Sequence, residues 1–216
     1  MTGENNWFAT ETGRTFIELS ALQAMPWVWP LCGHNALIMQ PELAVPVQNQ
    51  LQCAPISYLQ YRQQRFVGDF QSDESQIALV NECMALVYVQ FVLELTTDRL
   101  QSIAEIERIL VPEGYVAILS LNPFSLYGVM RKWRELRIEN KEYWSSLLSD
   151  AGLEICRSET IGPYWPRKAN SSSDKIIKQP GLFRTANFIL ARKRKSALTP
   201  LRKPANAVAL AREKLT

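Results

Sequence analysis

The stretch from Ala85 to Leu121 constrains the fold more than any other part of the sequence. Residues 85–93 (ALVYVQFVL) form a nearly unbroken apolar run rich in β-branched and aromatic residues, the pattern of a strand covered on both faces. Thr96-Thr97-Asp98 breaks the run, and Asp98 with Gln101 three residues on makes a helix-capping pattern. Leu100, Ile103, Ile106 and Leu110 then recur at helical spacing, with Glu105, Glu107 and Arg108 between them. Pro112-Glu113-Gly114 ends that helix and turns the chain. Tyr115 to Leu121 reads as a second buried strand. Strand, helix and strand in this order predict a βαβ unit with parallel strands and a right-handed crossover.

The remaining pattern extends this unit into one α/β domain over residues 1–192. Residues 14–24 carry helical spacing (Phe16, Leu19, Leu22) that Met25-Pro26 is expected to end. Ala36–Met39 reads as the first strand, a second is expected near Leu51, and Arg65–Gly68 as a short strand left by a turn at Gly68-Asp69. A helix over 141–151 has Asn140 as its cap, Tyr143, Trp144, Leu147 and Leu148 as its apolar face, and Gly152 just past its end. Leu153–Thr160 and Phe183–Ala191 complete the strands. The polar segment 163–181 between them reads as a surface loop or insertion. The cluster Pro26-Trp27-Val28-Trp29-Pro30, with Trp7 and Phe8, reads first as a strap packed on the body. A lid or a homodimer contact is its alternative.

Composition narrows the chemistry. At 216 residues and 47% hydrophobic, the chain buries one sizeable core. No run of 18 apolar residues occurs and the N-terminus lacks a basic, then apolar leader, so a cytoplasmic location without membrane contact is expected. The four cysteines stand singly and are expected to be buried, reduced thiols. With His34 the single histidine, neither a metal centre nor histidine-based nucleophilic catalysis is expected. Residues 192–216 carry a balance of +7 and the rest of the chain −4. A basic tail over 193–216 follows, mainly a solvated end, with nucleic-acid attachment as the less favoured reading.

Specific stretches resemble the class I S-adenosylmethionine-dependent methyltransferases, in particular the methyltransferase type 11 group. Phe66-Val67-Gly68-Asp69 resembles the segment after that family's third strand, and residues 85–98 its fourth strand and following turn. Residues 104–114 (AEIERILVPEG) are similar to the helix ending "E-x-x-R-V-L-K-P-G-G". Residues 119–128 resemble the fifth strand and its exit, and 146–154 the "L-L-x-x-A-G-F" element before the sixth. The resemblance implies a Rossmann-like sheet, mostly parallel and flanked by helices, with one antiparallel strand near the C-terminus. It implies S-adenosylmethionine as cofactor and methyl transfer to a small-molecule or macromolecular acceptor.

Within that resemblance the cofactor motifs are degenerate. Gln40-Pro41-Glu42 replaces the glycine loop, Gln50 to Pro55 lacks the ribose-binding carboxylate, and Ala85 stands where the fourth strand usually opens with aspartate. The positions expected to border the cofactor crevice are Gln40, Glu42, Asp69, Phe70, Gln90, Phe91 and Asn122, with Asp69 facing the adenine. S-adenosylmethionine binding is expected to be weak or lost. A non-catalytic binding, regulatory or dimerising module is therefore the alternative to an active enzyme.

Overall fold

The computed structural model describes residues 7–31, 35–42, 55–125, 136–163 and 184–194. The elements run α1 (Glu11–Val28), β1 (Ala36–Pro41), β2 (Ile56–Arg62), β3 (Arg65–Gly68), β4 (Gln71–Asp73), β5 (Met84–Gln90), α2 (Arg99–Ile109), β6 (Leu110–Leu121), α3 (Lys141–Asp150), β7 (Leu153–Ile161) and β8 (Ala186–Lys193). They build one eight-stranded sheet in the order β4-β3-β2-β1-β5-β6-β8-β7. The βαβ unit forms with parallel strands, β5 pairing with β6 at Leu86 and Tyr115. α2, however, stops at Ile109, and β6 already begins at Leu110 and runs through Pro112-Glu113-Gly114, where a turn was expected. A register shift between Met84 and Leu86 absorbs the extra residues. β1 and β2 extend the parallel core, and β8 enters antiparallel to β6.

The two faces of the sheet have separate covers. Leu37, Met39, Val87, Val89, Val116 and Ile118 pack under α2 and α3, through Ile103, Ile106, Trp144 and Leu148. Ile38, Leu86, Tyr88, Ala117 and Leu119 face the other way, onto Phe16, Ile17, Ala21, Ala24 and Val28 of α1. α1 is the helix that covers this second face among the described residues. Alternation along buried strands supplies both surfaces at once.

Local signals place the helices. The Asp98 carboxylate accepts the Gln101 N–H at 3.0 Å, and the Asn140 side chain accepts that of Tyr143 at 2.8 Å. Gly152, at φ 81°, takes the left-handed position after α3. α1 is longer than expected and runs through Pro26 to Val28. Proline removes the N–H that would bond to the Leu22 carbonyl, and Leu22 lies on the exposed side of the helix. Lys193, at the end of β8, donates to the Glu107 carbonyl at 2.9 Å and pairs with the Glu107 carboxylate at 3.0 Å, joining β8 to the last turn of α2.

The first half of the sheet differs from the sequence expectation. Residues 43–54, where a strand was placed near Leu51, lie outside the described residues, and β2 begins at Ile56. β3 is the return limb of a hairpin, antiparallel to β2, and β4 pairs antiparallel to β3. The turn is Gln63-Gln64, both at positive φ, the geometry that suits a two-residue hairpin. Gly68 lies against β2, where a Cβ would sit 2.0 Å from the Tyr58 carbonyl oxygen. Among the cysteines described, Cys83 is half-buried and Cys156 exposed, both as free thiols. The expected burial therefore fails at Cys156, which lies on β7 at the sheet edge. Residues 164–183 and 195–216, holding most of the expected loop and tail, lie outside the described residues.

Phe16 has no exposed surface and packs on Phe91 with ring centroids 4.8 Å apart. Phe16→Ala is expected to destabilise the fold by about 3–5 kcal/mol, measured by urea denaturation. A change under about 1 kcal/mol would mean that α1 does not hold its face of the sheet.

Candidate functional site

Burying a polar side chain is unfavourable unless it gains a partner or a purpose. Of the fourteen buried polar or charged side chains described, ten lie at the end of the sheet where β1, β5 and β6 finish and β8 starts. These are Gln40, Gln90, Glu94, Thr96, Arg99, Ser120, Asn122, Ser125, Thr185 and Asn187. At this edge the chain also reverses its strand order, passing from β1 out to β2 on one side and from β5 out to β6 on the other. Ligands of open α/β sheets bind at such a switch point, outside the carboxyl ends of the strands.

Gln40 is the penultimate residue of β1, and Gln90 ends β5. The Gln40 amide donates to the Gln90 carbonyl oxygen at 2.9 Å, with both side chains buried. The bond spans the switch point. Phe91 follows with φ 53°, which turns the chain sharply off β5. Its ring packs on Phe8 and Phe16. Trp7 and Phe8 thus belong to the strap expected from the sequence, and Trp27 stacks on Phe188 with centroids 5.2 Å apart. Glu42, just past β1, pairs with Arg62 at the end of β2 at 3.0 Å.

Gln40, Glu42, Gln90, Phe91 and Asn122 therefore gather at the carboxyl edge, whereas Asp69 and Phe70 do not. Gly68 pairs with Leu59, which puts Asp69 opposite Tyr58, itself facing Ile38, two residues short of Gln40. β3 runs away from the carboxyl edge, and Asp69 lies two strand spacings, roughly 10 Å, to the side of β1. Its carboxylate accepts the Tyr58 N–H at 2.8 Å, a turn-closing role. Asn122 also serves the backbone: it donates to the Arg184 carbonyl at 2.7 Å and accepts the Phe124 N–H at 3.1 Å.

Sequence reading did not single out Glu94 as a site residue. One of its oxygens accepts the Leu121 N–H at 2.6 Å, so the carboxylate continues the β5 side of the ladder beyond the strand. The other has no hydrogen-bond partner among the described residues. Burial pushes the Glu94 carboxyl up to about 7, against smaller lowering effects from the Leu121 and Glu94 backbone N–H groups and from Arg99. A lone acid inside the apolar run Phe91-Val92-Leu93-Glu94-Leu95 was its signal in the sequence. Nearby Arg99 donates to the Leu93 carbonyl at 3.2 Å, to Glu139 at 2.9 Å and to the Arg137 carbonyl, and it lies over the Trp144 ring.

Two surface depressions occur among the described residues. An apolar one of about 480 Å³ is lined by Leu22, Met25, Pro26, Trp29 and Pro30. A polar one of about 320 Å³ lies between the β2–β3 turn and the start of α2, where Glu74 accepts the Thr97 and Asp98 N–H groups. Among the described residues no three His, Cys, Asp or Glu side chains gather as metal ligands, and no helix is long and apolar enough to cross a membrane.

A nucleoside cofactor at the switch point needs room beyond β1 and a carboxylate free for its ribose hydroxyls. Here the Gln40–Gln90 bond bridges the gap, Arg62 ends β2, and Glu42 is paired with it. The described residues fit S-adenosylmethionine poorly.

Comparison with solved structures agrees on the fold. An S-adenosylmethionine-dependent methyltransferase from Thermotoga maritima shares 17% identity and a TM-score of 0.58, covering 87% of this chain and 93% of its own. One from Mesorhizobium loti gives 12% identity and 0.52, covering 82% and 99%. The [4+2]-cyclase SpnF gives 16% identity and 0.53, covering 82% and 80%. No family model matches the sequence, and no curated protein matches it. The chain has the fold of the class I S-adenosylmethionine-dependent methyltransferases.

The Glu94 carboxyl makes stability pH-dependent in a stated direction. Its folded value is above its unfolded one, so the contribution is complete below about pH 4.5 and is lost as pH rises toward about 7. Glu94→Gln removes this loss and keeps an acceptor for Leu121. Urea denaturation at pH 8 is expected to show the variant gaining on the order of 2–3 kcal/mol relative to wild type, compared with pH 4.5. Parallel stability–pH curves for the two proteins would refute this.

Proposed function

We propose that the carboxyl edge between β1, β5 and β6 is the ligand site of a methyltransferase-like protein. In this reading it transfers a methyl group from S-adenosylmethionine to an acceptor bound at the same edge, and it holds the cofactor weakly. The concentration of buried polar side chains at the switch point supports the reading. Methyl transfer can proceed through proximity and orientation, without an obligatory acid-base pair. The absence of an evident pair at this edge is compatible with it.

A second reading has its own observation. The Gln40–Gln90 bond spans the switch point, and the Glu42–Arg62 pair stands beside it at the ends of β1 and β2. They favour a protein that keeps the fold as a binding or dimerising module without catalysis.

Calorimetric titration with S-adenosylmethionine and its demethylated product separates the two. Binding with a dissociation constant of roughly 100 μM or weaker is expected. Gln90→Ala should alter that affinity, whereas Asp69→Ala should leave it unchanged, since Asp69 lies away from the edge. No binding of either compound at millimolar concentration would discard the methyl-transfer reading in favour of the second.

A further inference from the structure

Glu94 is 3% exposed, and only one of its oxygens is accounted for, by the Leu121 N–H at 2.6 Å. The other is buried without a hydrogen-bond partner among the described residues. Of the six such side-chain atoms among the described residues, it is the one that belongs to a carboxyl group, and such an atom calls for an explanation in strain, catalysis or a bound water or ion. It lies where β5 and β6 end, at the switch-point edge. The nearest cation does not resolve it: the Arg99 guanidinium pairs with Glu139 at 2.9 Å and donates to the Leu93 and Arg137 carbonyls. Among the described residues this oxygen thus lacks both a hydrogen-bond donor and a paired positive charge, Arg99 acting on the carboxyl only through space. A hydroxyl would supply the first alone. An ammonium supplies both, as a charge-assisted hydrogen bond.

We propose that Glu94 holds a protonated amine of the molecule bound at the carboxyl edge. The inference rests on the reading of that edge as the ligand site and deepens it by naming the chemistry that the site selects. The ammonium belongs either to the methyl acceptor or to the amino-acid end of the cofactor, and both present the same group to the carboxylate. Where the amine must be made nucleophilic, an N–H bond of R–NH3+ breaks and an O–H bond forms on the carboxylate. The products are R–NH2 and a neutral Glu94. Glu94 then acts as the residue that selects the amine and takes its proton.

The test follows the titration of Glu94 by carboxyl carbon NMR, assigned by difference from Glu94→Gln. Benzylamine, S-adenosylhomocysteine and the neutral benzyl alcohol are added in separate arms. At least one ammonium compound is expected to move the midpoint down by about one pH unit or more, with benzyl alcohol leaving it in place. The same compound should bind Glu94→Gln about tenfold more weakly, and the arm that responds identifies the source of the amine. An unmoved midpoint with both amines, an equal response to the alcohol, or undiminished binding to Glu94→Gln overturns the proposal. A response to benzylamine without measurable binding of S-adenosylmethionine would end the methyl-transfer reading and leave this assignment standing. Cofactor binding that leaves Glu94 untouched does the reverse.

Discussion

The parallel pairing of β1 with β5 is the contact on which the rest of this molecule depends. Both strands are apolar on both faces, and neither is stable in water without covers on each side. Meeting that demand places α1 over one face and α2 with α3 over the other. The same pairing brings Gln40 and Gln90 level, so the strand ends meet in a buried amide–amide bond. Core and candidate site are therefore one construction. The alternation that fills the two cores also decides which polar side chains reach the carboxyl edge.

What was legible in the sequence was whatever is enforced locally or by an uninterrupted apolar run. Asp98, Asn140 and Gly152 read correctly because capping depends on a few neighbouring residues. β5 and the Tyr115–Leu121 part of β6 were legible because strands buried on both faces have little polar interruption, whereas the half-buried Leu110–Gly114 part, holding Pro112 and Glu113, read as a turn. β2 was harder, since its half-buried residues mix polar and apolar side chains, and its turn uses Gln63-Gln64 where Asn or Gly would announce a hairpin. That hairpin turns β3 away from the carboxyl edge and puts Asp69 opposite Tyr58. Glu94 was missed for a different reason: its role comes from burial beside Leu121, a contact between residues 27 positions apart.

Sharing the fold with both methyltransferases and the cyclase SpnF illustrates how little a sheet alone decides. What distinguishes this chain is the arrangement of side chains on the shared edge. The amide pair is neutral, Glu42 and Arg62 cancel each other, and Asn122 is committed to the backbone. Glu94 is a deeply buried acidic side chain there, and burial raises its pKa to about 7.

The tie between Lys193 and Glu107 has a geometric consequence. β8 runs opposite to β6, so Arg192 lies beside Tyr115 in the first half of β6, and the described chain leaves the sheet toward its amino edge. The candidate site is at the carboxyl edge. The anchor of the basic C-terminal segment and the ligand site thus occupy opposite poles of the domain. A macromolecule gripped near residue 194 would be held by the protein without standing in the doorway of its crevice.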